Sequence, residues 1–153
     1  MVKAMSVKCM SLLVFFAFIP FVGADDQSDV LDVIQEWADL ESNLVSQADL
    51  IRDDRIQIAG GIRQTNQKLN LEVQVMNHEA GVKAAGGEPT LKVRIEDPII
   101  RVYGDVAVAS FIRLFNFAPY GKSPNPPNKA WCTMVLVKEK GRWRIAHHHL
   151  SPA

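Results

Sequence analysis

Hydrophobic residues recur at Val30, Ile34, Trp37, Leu40, Leu44, Ala48 and Ile51, in steps of three and four. That spacing predicts an amphipathic helix over residues 28–53, with Ser28 as its N-cap and Asp29 and Asp32 in the first turn, where the dipole favours them. The period drops to two at Arg55-Ile56-Gln57-Ile58 and ends at Gly60-Gly61, which predicts a short strand and a turn. A second helix is expected over residues 66–85. Leu69, Val73 and Met76 share one of its faces, and Gly86-Gly87-Glu88-Pro89 stops it.

Beyond Pro89 the pattern is that of a sheet. Leu91, Val93 and Ile95 alternate with Lys92, Arg94 and Glu96, a strand with one wet face. Residues 99–103 and 106–117 flank Gly104-Asp105, a tight hairpin turn. The second of these strands is apolar on both sides, with Val106, Val108, Ile112 and Leu114 on one and Ala107, Ala109, Phe111, Phe115 and Phe117 on the other. Two helices suffice for one face, so the other is expected to meet a second copy of the chain, as a homodimer or larger. The connection over residues 118–128 carries four prolines and is long for a hairpin, so it is a surface insertion or a lid. Residues 131–138 form the next strand, and Lys140-Gly141 turns into the last. There the period of two places Trp143, Ile145, His147 and His149 on one face and His148 on the other. No internal repeat or coiled-coil heptad is found.

The N-terminus changes the picture of where the protein works. Lys3 and Lys8, the apolar run around Leu12-Leu13-Val14-Phe15-Phe16, and the small residues before Asp25 predict a secretory signal peptide over residues 1–24, cut after Ala24. The run is too short for a membrane span of about 20 residues. An exported product, periplasmic or secreted and free of the membrane after cleavage, is therefore expected. Cys9 lies too far upstream to carry a lipid on the mature chain. Residues 25–153 suit a single domain. Loss of Lys3 and Lys8 leaves 15 basic side chains against 17 acidic ones, no footprint for nucleic acid or an anionic membrane. Cys132 then has no disulfide partner within the chain, and its apolar setting predicts a buried small hydrophobe.

Three motifs carry a resemblance. They are Asp97-Pro98-Ile99-Ile100-Arg101-Val102-Tyr103-Gly104-Asp105-Val106-Ala107, then Phe111-Ile112-Arg113, then Gly141-Arg142-Trp143-Arg144-Ile145-Ala146-His147-His148-His149-Leu150-Ser151. Over residues 91–151 the chain resembles the association domain of calcium/calmodulin-dependent protein kinase II, and the hairpin and terminal strand are similar to those of SnoaL-like proteins. The order of elements resembles the nuclear transport factor 2-like fold, which includes ketosteroid isomerase. The resemblance implies an α+β cone-shaped roll, with a curved antiparallel sheet packed on N-terminal helices, assembling into dimers or rings. It also implies a pocket with arginines that can hold carboxylates. Arg113 matches one of those arginines, while Met134 and Leu150 stand where two others would be.

Arg113 interrupts an apolar strand, and a guanidinium there needs a carboxylate, from a ligand or from Asp97, Asp53, Asp54 or Glu79. The candidate ligand-binding residues are Arg113, Trp37, Trp131, His147 and His149. His147 and His149 can share a metal only with a third ligand such as His78, Asp54 or Glu79; nothing in the spacing supplies one, so neither metal nor cofactor is expected. Either histidine is a candidate general acid or base near neutral pH. Proton transfer of the ketosteroid isomerase type needs a carboxylate in an apolar pocket. Residues 106–117 and 131–137 contain none, so it would come from Asp53, Asp54 or Glu72, or a histidine would replace it. Two functions follow. One is a self-assembling domain that binds a small, partly apolar ligand; the other is an isomerase or hydrolase with His147 or His149 as base and Arg113 as anion clamp.

Overall fold

The computed structural model describes residues 24–153, so the predicted signal peptide lies outside the described residues apart from Ala24. The elements in order are α1 (Ala24–Asp39), a 3-10 turn (Leu40–Ser42), α2 (Leu44–Ala48), β1 (Ile51–Ala59), β2 (Ile62–Gln64), α3 (Gln67–Ala85), β3 (Thr90–Tyr103), β4 (Val106–Ala118), β5 (Asn128–Glu139) and β6 (Arg142–Pro152). The strands form one sheet in the order β2-β1-β6-β5-β4-β3. The β1–β6 pair is parallel and the others antiparallel, with the helices packed on one side, the α+β arrangement expected. No described helix is long and apolar enough to cross a membrane.

The apolar spacing of residues 30–51 survives, but not as one helix. Helix α1 starts before Ser28, which is therefore not a cap, and the chain leaves the helix at Leu40–Ser42. Asn43 then caps α2, accepting from the Ser46 amide at 3.2 Å. Breaking a helix strands its last carbonyls. Buried Gln47 answers that need, donating from Nε2 to the Trp37 carbonyl at 2.8 Å. Val30, Ile34, Trp37 and Ala38 of α1 pack on Val93, Ala107, Ala109, Phe111, Met134, Leu136, Trp143 and Ile145 as a single core. Cys132 is buried among them as a free thiol, its pKa pushed up to about 12 by burial.

Helix α3 lies where residues 66–85 predict, capped by Asn66, whose side chain accepts from the Leu69 amide at 2.9 Å. Its facing is reversed. Leu69, Val73 and Met76 point to solvent, whereas Gln67 and Asn70 are buried. Residues 91–95 and 99–103 belong to one strand, β3, bulged at Asp97-Pro98, where proline cannot donate to the ladder. The turn into β6 places Lys140 and Gly141 at φ 50° and 79°, the twist that two-residue hairpins favour.

The decisive irregularity is in β6. Leu136 of β5 pairs with Ile145 and Val135 with His147, so Ala146 is an inserted residue. One extra residue reverses which side chains face the core beyond it. Trp143 and Ile145 point inward before the bulge, and His148 is the buried histidine after it. His147 and His149 therefore do not share the face of Trp143 and Ile145. The sheet's other face is left open, with Ile99, Tyr103, Val106, Val108 and Trp131 exposed on it. The inner half of β4 thus lies in the core, while on its outer half Val106 and Val108 are exposed, Leu114 is half-buried and Ile112 is buried.

Candidate functional site

Between the helices and the inner face of the sheet lies a cavity of about 80 Å³. Each wall brings a polar group to it. From β4, Arg113 donates from Nη2 to Oε1 of Glu41 at 2.7 Å. Its guanidinium carbon lies 4.7 Å from the Phe115 ring centre and 5.7 Å from that of Trp37. Glu41 reaches it from the 3-10 turn, and its other oxygen accepts from Gln47 at 3.3 Å. Burial raises the Glu41 carboxyl above its ordinary range, and Arg113 and Gln47 draw it back towards ionisation. The expected partners of Arg113 are corrected accordingly. Asp54 pairs with Arg52 at 2.8 Å at the surface, and Glu41, rather than Asp97, Asp53, Asp54 or Glu79, neutralises Arg113.

Strand β1 contributes Arg55, only 4% exposed. Its Nε has no hydrogen-bond partner, and it forms no ion pair among the described residues. Burial pulls its pKa down to about 10, which leaves it cationic at neutral pH. From β6, His148 meets Trp37 edge-on with ring centres 5.0 Å apart, and its Nε2 is also unpartnered. Burial, reinforced by Arg55 and Arg113, depresses this imidazole to about 3. It is neutral across the physiological range.

Of the expected ligand residues, Trp37 and Arg113 line the cavity. Trp131, half exposed, is turned to the open face of the sheet with His147 and His149, so these three do not line it. The parity reversal at Ala146 accounts for the histidines; Trp131 alternates with buried Ala130 and Cys132. His78 sits apart, 3.0 Å from Glu88. No cluster of three or more metal-ligating side chains occurs among the described residues. Six polar lining residues were not singled out from the sequence: Glu41, Gln47, Arg55, Gln57, Gln74 and His148. The signal for Arg55 was present, since Arg55 and Gln57 alternate with Ile56 and Ile58. The polar half of that strand faces inward.

Helices on one side of a curved six-stranded sheet, with a polar cavity between them, define a nuclear transport factor 2-like roll. The SnoaL-like domain matches residues 74–153, and the chain belongs to that family. Solved structures agree on the fold. A nuclear transport factor 2-like protein with a cystatin-like fold from Novosphingobium aromaticivorans superposes with a TM-score of 0.68 at 11% identity, covering 84% of this chain and 82% of that one. The CaMKII hub homology domain of Chlamydomonas reinhardtii gives 0.67 at 23% identity, covering 82% and 97%. A putative ketosteroid isomerase from Shewanella frigidimarina gives 0.58 at 20% identity, covering 78% and 92%. No curated protein matches the chain in sequence.

Proposed function

We propose that this protein is an exported, self-assembling binding domain whose roll holds a small, partly apolar anion between Arg55, Arg113 and Trp37. The observation that carries the reading is Arg55, a buried guanidinium with no counter-charge among the described residues. An unpaired buried charge is strongly destabilising, and a carboxylate answers it with up to two parallel hydrogen bonds. Leu44, Ile51 and Leu150 line other parts of the cavity and suit a short hydrocarbon tail. At about 30 Å³ of liquid volume per water, 80 Å³ corresponds to roughly three waters, the scale of a short-chain carboxylate. Calorimetric titration with acetate, propionate and butyrate tests this. Saturable binding that is lost in Arg55→Met is expected; no binding to the native protein, or undiminished binding to the variant, would defeat the reading.

Binding is favoured over proton transfer by where the histidines lie. His147 and His149 are on the open face, His148, depressed to about 3, is a poor base near pH 7, and the pocket's one carboxyl, Glu41, is engaged on both oxygens by Arg113 and Gln47. Self-assembly is supported by the likeness to hub and association domains and by the exposed apolar face around Trp131. Export rests on the signal-like residues 1–24 and predicts a mature N-terminus at Asp25; N-terminal sequencing of exported protein that still begins at Met1 would contradict it.

A further inference from the structure

The charges inside the cavity bear on which anions it can take. The titratable groups on its lining are Glu41, Arg55, Arg113 and His148. Two guanidinium groups face one carboxyl, whose 2.7 Å contact with Arg113 favours its ionised form; with Glu41 ionised, one positive charge is left in excess. Glu41 is held where it stands. Arg113 grips one oxygen at 2.7 Å, Gln47 donates to the other at 3.3 Å, and Gln47 is itself fixed to the Trp37 carbonyl at 2.8 Å. A carboxylate anchored from two sides does not swing aside when a second anion arrives.

We infer that Glu41 sets the charge number of the ligand, so that the cavity takes a small monoanion and turns away dianions of the same size. The inference rests on the anion-binding role proposed above. A monoanion on Arg55 brings the buried site to neutrality. A dianion leaves one negative charge uncompensated beside the Glu41 carboxylate, and buried net charge is costly when nothing pairs with it. His148 offers no relief, because its imidazole stays neutral until about pH 3. Size does not account for the choice: sulfate is nearly as compact as acetate. The residue that discriminates is therefore an acidic one inside an anion site. It acts by cancelling one of two cations.

The test compares acetate with sulfate at pH 7 on the native protein and on Glu41→Gln. The amide keeps the shape of the carboxylate and can still accept from Arg113, while the charge is gone. The native protein should bind acetate more tightly than sulfate by about tenfold or more, and Glu41→Gln should shift that ratio towards sulfate by about tenfold or more. Equal native affinities overturn the inference, whether or not the variant folds. So does an unchanged ratio in a folded variant. If neither anion binds either protein, the anion site itself falls, and charge selection with it; that outcome differs from binding without selection.

Discussion

His148 shows at the scale of one residue what the pocket costs. Its imidazole is held near 3, against about 6.5 in an unfolded chain. Between those values the unfolded state binds the extra proton, so stability is present above about pH 6.5 and drains away as pH falls towards 3. The full window is worth several kcal/mol, at about 1.4 kcal/mol per pKa unit. Glu41 acts in the opposite sense: its raised carboxyl takes a proton in the folded state first, which offsets part of the loss in acid. Urea unfolding of the native protein and His148→Phe at a series of pH values should show a shallower acid slope in the variant. Parallel slopes would mean that the buried imidazole is not the source. Arg55 is costly in the same way. Arg55→Met replaces an unpaired buried charge with a chain of similar length, and should raise stability by about 1–4 kcal/mol while removing anion binding. A thermal midpoint below that of the native protein would contradict this.

At the scale of elements, the bulge at Ala146 decides which histidine enters the pocket. Deleting Ala146 restores the period of two and keeps Trp143, Ile145, His148 and Leu150 on the inner face. Deleting His148 instead sends His149 inward and Leu150 out. Circular-dichroism melts should therefore show a cooperative fold for the Ala146 deletion and a much weaker one for the His148 deletion; the reverse order would refute the bulge as the source of the facing. The elements differ in how much of this could be seen in advance. Strands β3 to β6 were legible because sustained alternation of apolar and polar side chains suits a pleated backbone and no helix, although Asp97-Pro98 read as a break between two strands where β3 only bulges. Ala146 carries no glycine or proline to announce the inserted residue. The break at Leu40–Ser42 was hidden because steps of three and four continue across a single 3-10 turn. Arg113 stood out as a lone charge in an apolar run and Trp37 as a member of the helix stripe. Glu41, by contrast, looked like any polar position on a helix.

For the whole molecule, hydrophobicity no longer marks the inside once a sheet has two apolar faces. Ile56 outside and Arg55 inside invert the usual assignment, and Trp131 looked like a pocket residue because the open face also carries large apolar side chains. That face is where a second copy should sit. Light scattering at micromolar concentration should give a dimer or larger for the native protein and a monomer for Trp131→Glu, because a charge at a desolvated interface centre is costly. A native monomer under those conditions would contradict assembly. Cys132 adds a consequence for a protein expected in an oxidising compartment. With its thiol pushed up to about 12, about one molecule in 10⁵ carries the reactive thiolate at neutral pH, and no solvent reaches the sulfur in the closed fold. Alkylation of Cys132 therefore waits for strands β4, β5 and β6 to part. Its rate would serve as a clock for the opening of the sheet.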